Sequence, residues 1–171
     1  MTRPGSDATL SHVIDITALH DHDVAFEIEA NADERDAIAR RLGIPSLPFL
    51  RGDFRVRAVR GGAEIRLRLE ARAERECVVS LEPMIETIAE DILMQFDRNH
   101  VDAEDDEESE EWREPLEGDE IDLGELLVQH LSLALDPYPR KPGVEPFLTS
   151  APAAATESPF DALKTLKPSD S

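Results

Sequence analysis

The apolar positions of this chain change period several times, and each change marks an element. Leu123, Leu126, Leu127, His130, Leu131, Ala134 and Leu135 recur at three- and four-residue intervals, which predicts a helix with one apolar stripe. Asp122 is placed to cap it, Glu125 to complete a capping box, Ile121 and Leu126 to staple its start, and Pro137 to stop it. A second helix is predicted over Ala32 to Leu42. Asn31 and Glu34 form its capping box, Ala37, Ile38 and Leu42 its apolar face, and Gly43 its end, with Arg40 and Arg41 suiting the C-terminal dipole.

Elsewhere the period is two. Phe54, Val56 and Ala58 alternate with polar neighbours, as do Ile65, Leu67, Leu69 and Ala71, and Gly61-Gly62 between them predicts a hairpin. With the turn on the two glycines, Phe54 faces Leu69, Val56 faces Leu67 and Ala58 faces Ile65; on the other face Arg57 meets Arg66 and Arg55 meets Arg68. Cys77, Val79 and Leu81 extend the alternation into a further strand. Ile14 and Ile16, then Val24, Phe26 and Ile28, give two short strands around His20-Asp21-His22-Asp23, which reads as a solvated turn rather than a metal cluster. Residues 83–97 stay open: Ile85, Ile88, Ala89 and Ile92 fit a helix, whereas Ile92, Met94 and Phe96 fit a strand.

The elements add up to an α+β fold with an antiparallel sheet, barrel-like if it closes, and two or three helices. The expected organisation is a loose tail at 1–11, one domain at 12–143 and a linker with a short helix at 144–171. That helix opens at Ser158 and Pro159; its stripe of Phe160, Leu163 and Leu166 is too short to be stable alone and is expected to dock on this domain or on a partner. A single cysteine excludes an internal disulfide. No basic start precedes an apolar run, and no run approaches the ~20 residues of a membrane span. A soluble cytoplasmic protein is expected, with no membrane partner.

Charge changes the picture most. The chain carries a formal −20, which argues against a general nucleic-acid binder and against DNA as a partner. Over half of that charge sits between Asp102 and Glu120, where twelve acids meet only Arg113; such a block repels itself and reads as an acidic loop. Trp112, the only tryptophan, lies inside it, as a core anchor or a partner contact. Residues 51–75 run the other way, with eight arginines against four acids. Opposed arginines are unfavourable by a few tenths to ~1 kcal/mol a pair, so Arg55, Arg57, Arg66 and Arg68 form a candidate RNA-binding face unless adjacent Glu and Asp neutralise it. The acidic loop could itself lie over that face.

No Gly-x-Gly-x-x-Gly, phosphate loop, His-Glu-x-x-His or Gly-x-Ser-x-Gly is present, so neither an enzyme nor a cofactor is expected. Three segments, in order, carry a resemblance instead. They are Arg75-Glu76-Cys77-Val78-Val79-Ser80-Leu81-Glu82-Pro83, then acidic-Ile-Asp with the leucine-rich helix and Asp136-Pro137-Tyr138-Pro139-Arg140-Lys141-Pro142-Gly143, then Ser158-Pro159-Phe160-Asp161-Ala162-Leu163-Lys164-Thr165-Leu166-Lys167. Together they resemble the YceD family of bacterial large ribosomal RNA subunit accumulation proteins. The resemblance implies a cytoplasmic, non-enzymatic factor for synthesis, processing or stability of 23S rRNA, with that RNA or its precursor as partner. It also favours a bent strand over residues 83–97. Many members carry Cys-x-x-Cys where this chain has Cys77 and Ser80, and Arg140-Lys141-Pro142 offers no soft ligand, so a zinc site of about four ligands is not supported and Cys77 reads as a small buried apolar residue. The alternative function is an acidic chaperone that holds a basic ribosomal protein without touching RNA.

Overall fold

The structure, a computed structural model, describes residues 10–19, 22–98, 113–116 and 118–144. In chain order the elements are β1 (Val13–Asp15), a 3-10 turn (Ile16–Ala18), β2 (Val24–Glu29), α1 (Ala32–Leu42), β3 (Ser46–Val59), β4 (Gly62–Glu76), β5 (Pro83–Asp97), β6 (Arg113–Pro115), β7 (Glu120–Asp122) and α2 (Leu123–Ala134). Five strands form one sheet in the order β2-β3-β4-β5-β6, antiparallel except for the β5/β6 pair, and β1 pairs with β7 in a separate ribbon. The fold is α+β, and its main sheet stays open rather than closing into a barrel. Among the described residues no helix is long and apolar enough to cross a membrane.

Alternation along three long strands makes the sheet one-sided. Leu50, Phe54 and Val56 of β3, Ala63 to Ala73 at odd positions of β4, and Ile88, Met94 and Phe96 of β5 are buried in one core cluster. The helices complete that cluster: Ile38 and Ala39 come from α1, and Leu123, Leu127 and Leu131 of α2 are fully buried one turn apart. Burial of each such leucine contributes about 1.5–3 kcal/mol. Gly52 is the socket for α2, since a Cβ there would come within 2.8 Å of Leu127 Cδ1.

The helix ends follow their local sequence with one exception. Both halves of the Asn31/Glu34 box form, and Gly43 closes α1 at φ 65°. Asp122 caps α2 by accepting from the Gly124 and Glu125 N–H groups, and it also takes the Ser11 hydroxyl and the His12 N–H, which ties the chain before β1 to the helix. Glu125 does not turn back to complete a box; the Arg41 guanidinium at the end of α1 holds its carboxylate in a two-point pair, one bond at 2.7 Å.

Three other readings are decided by the structure, the last of them against expectation. The strands before and after residues 20–23 form, but they do not pair with each other: β1 takes β7 and β2 takes β3. Residues 83–97 are a strand, the alternative that the resemblance favours, along their whole length and paired residue by residue with β4. Cys77 to Leu81 is not a strand but the connection between β4 and β5, closed by Cys77 N–H to Glu82 O at 3.0 Å and Leu81 N–H to Cys77 O at 2.9 Å.

A candidate nucleic-acid interface on the open sheet face

The face of the sheet away from the helices carries the arginines, and its layout follows from the β3/β4 register. The loop is Arg60-Gly61, with Gly61 at φ 89°, and Gly62 already belongs to β4. Gly62 is needed there for a different reason, because a Cβ would lie 1.7 Å from the Phe96 carbonyl oxygen of β5. The pairing is thereby shifted two residues from the expectation: Phe54 faces Leu67 and Val56 faces Ile65, with Arg55 opposite Arg66, Arg57 opposite Glu64 and Asp53 opposite Arg68. The apolar face survives a two-residue slip because side chains alternate with period two.

Successive rungs across β2, β3, β4 and β5 then read Glu29–Arg51–Glu70–Ala89, Glu27–Asp53–Arg68–Asp91 and Ala25–Arg55–Arg66–Leu93, followed by Arg57–Glu64–Gln95. Three of these rungs contain acid. Arg51 reaches Asp53 at 3.0 Å and Glu27 at 3.2 Å, Arg57 and Arg66 share Glu64 at 3.2 and 3.0 Å, and Arg68 reaches Glu70 at 3.3 Å. The face is thus substantially neutralised by its own carboxylates, and of the two expected Arg–Arg oppositions neither forms as drawn. One rung differs: Ala25–Arg55–Arg66–Leu93 has no acid, its two arginines stand directly opposite, and Arg55 has no carboxylate partner among the described residues. Beside it the Arg57 Nε is out of solvent with no acceptor in reach, Asp23 Oδ1 being 4.0 Å away. Further along, Arg72 lies over the Phe49 ring at 5.3 Å. A cavity of about 340 Å³ at the hairpin end sets Arg60 and Arg113 against Glu64 and Asp97, which leaves it no net charge. The contribution of β5 to this face, Asp91 and Leu93 above all, was hidden while residues 83–97 could be helix or strand; period-two reading of that stretch would have found it.

The Cys77 turn holds a second cluster. Cys77 is fully buried, and its Sγ accepts N–H groups from Lys141 at 3.3 Å and Ser80 at 3.4 Å. Those donors, Lys141 first, pull the thiol down to about 6 from an ordinary 9.0, although burial opposes ionisation. Val78 N–H to Pro139 O at 2.9 Å and Lys141 Nζ to Glu82 at 2.7 Å fasten the same turn to the segment after α2. Arg75, Glu86 and Asp136 brace it from the side, with Arg75 donating to Glu86 and to the Asp136 carbonyl, both at 2.9 Å. Among the described residues no three His, Cys, Asp or Glu side chains are grouped to hold a metal ion.

A thiol whose folded value lies below its unfolded one adds stability above the unfolded value and loses it as pH falls through the folded one. The stability gap between wild type and Cys77→Ala is therefore expected to widen steadily from pH 5.5 to pH 9. Urea midpoints across that range check this, and a gap independent of pH would show that Cys77 contributes packing alone.

Trp112, Phe160, Leu163 and Leu166 lie outside the described residues, as does the acidic stretch from Asp102 to Glu111. A family model described as large ribosomal RNA subunit accumulation protein YceD matches residues 65–167, more than half of the chain, from the middle of the hairpin through α2 and beyond. No curated protein and no solved structure matches the chain.

Proposed function

Since the chain belongs to the YceD family of large ribosomal RNA subunit accumulation proteins, we propose that it supports accumulation of that RNA by binding it in the cytoplasm, without catalysing a reaction. The observation that supports direct contact is the Ala25–Arg55–Arg66–Leu93 rung, where two guanidiniums stand opposite with no acid on the rung itself, Arg66 being held by Glu64 of the next rung and Arg55 having no carboxylate partner among the described residues. An RNA phosphate between them would supply the missing anion with charge-assisted hydrogen bonds, and Arg68, two-thirds exposed and held only by Glu70, could exchange its carboxylate for a second. Arg57 serves the site from below, since Glu64 holds it. Flanking acids on the neighbouring rungs repel a backbone that strays, so a small footprint on RNA is expected rather than a broad basic groove.

In cells depleted of this chain, the ratio of large- to small-subunit rRNA is expected to fall. Wild type should restore it, and Arg55→Ser/Arg66→Ser/Arg68→Ser should not, at equal protein level. An unchanged ratio on depletion would overturn the functional reading. Full rescue by the triple variant would remove the rung from it and favour the chaperone reading, in which a basic protein and not RNA is held.

A further inference from the structure

β5 is fifteen residues long, yet its outer neighbour β6 has three and takes only Gln95 to Asp97. Among the described residues no strand pairs with the outer margin of β5 from Pro83 to Met94. The elements nearby meet side chains of β5 and not its backbone: Asp136 N–H donates to Glu86 Oε1 at 2.9 Å, and His130 Nε2 lies 3.0 Å from Met94 Sδ. A strand edge of that length offers a row of N–H and C=O groups onto which another strand can add.

Its side chains say which one. On the open face of the sheet the edge presents Ile85 and Leu93, 54% and 58% exposed, with Ala89 between them. On the same stretch Glu90 and Asp91 are exposed, Glu86 being already held by Arg75, and β5 contains no Lys or Arg. A second copy of the chain is disfavoured in the register centred on Ile88, where two antiparallel β5 edges set Glu86 against Glu90, and like charges opposite are destabilising.

We infer that the edge of β5 left unpaired among the described residues is a strand-addition site for an extended basic polypeptide whose Lys or Arg side chains face Glu90 and whose apolar side chains pack beside Ile85 and Leu93. The site adjoins the arginine rung at Leu93 but is built on the outer backbone margin of β5, and it stands whether or not the rung meets RNA. Main-chain bonds supply the affinity, and the acids select for positive charge.

The test titrates the full chain with a labelled twelve-residue peptide of alternating Lys and Val, with its Glu/Val counterpart, and with two versions of the Lys/Val peptide N-methylated on alternate residues so that one edge or the other is blocked. The expected result is binding of the Lys/Val peptide, no binding of the Glu/Val peptide, and loss of at least ~30-fold for one N-methylated version while the other binds normally, because strand addition uses one edge of the ligand. Hydrogen exchange should slow at amides within residues 83–94. The exposed pair Glu90→Gln/Asp91→Asn should weaken binding about fivefold, as two surface charge contacts allow. Equal binding of both N-methylated versions, or slowed exchange confined to the arginine strands, would overturn strand addition. No binding of any peptide would mean that the acids of β5 only protect its edge.

Discussion

Gly62→Ala is expected to destabilise the domain by about 3 kcal/mol, at the upper end of overpacking costs and a large share of a typical domain's 5–15 kcal/mol. The added Cβ would sit 1.7 Å from the Phe96 carbonyl oxygen, 2.7 Å from its carbon and 3.1 Å from Asp97 Cα. All three are backbone atoms, so no rotamer change relieves the clash and β4 and β5 must separate where Phe96 closes the core. Gly61→Ala meets a different obstacle, the positive φ of 89°, which costs an L-residue roughly 1–2 kcal/mol. Urea unfolding of the two variants distinguishes the registers. If both glycines formed the turn, Gly61 and Gly62 would respond alike; the observed register requires Gly62 to be clearly the worse. The result bears on function, because the same register sets Arg55 opposite Arg66.

Much of the architecture is legible in local chemistry. Asn31, Glu34 and Gly43 specify α1 at both ends because each satisfies a backbone group that the helix leaves unpaired, and the structure uses all three. Asp122 is legible as the cap of α2 for the same reason. What Glu125 does is not, since its partner Arg41 lies 84 residues away and only the fold brings them together. The hairpin shows where patterning stops being informative. A slip of two residues leaves Phe54, Val56, Ile65 and Leu67 on the core face, so the apolar pattern cannot choose between registers, and the choice falls to a backbone contact between Gly62 and Phe96 that no spacing reveals. The Cys77 turn misled for a related reason. Its residues alternate like a strand, but Sγ accepting two N–H groups folds the chain back on itself. The candidate site was half visible. Arg55 and Arg66 are picked out by composition, while one of the acids that neutralise Arg51, Glu27, comes from β2, whose pairing with β3 depends on the whole sheet order.

The acid-free rung is tested most directly by titrating single-stranded large-subunit rRNA fragments with wild type and with Arg55→Ser/Arg66→Ser/Arg68→Ser over a range of salt. Two phosphates are neutralised, one between Arg55 and Arg66 and one at Arg68, so log K against log salt for the wild type is expected to have a slope of roughly −1.4. All three arginines are on a solvent face outside the core, and their removal leaves Phe54, Ile65 and Leu67 in place, so the variant should fold with wild-type cooperativity. Its binding should drop at least ~10-fold at low salt and its slope should approach zero. The same affinity and the same slope in the triple variant would contradict direct RNA contact through Arg55 and Arg66.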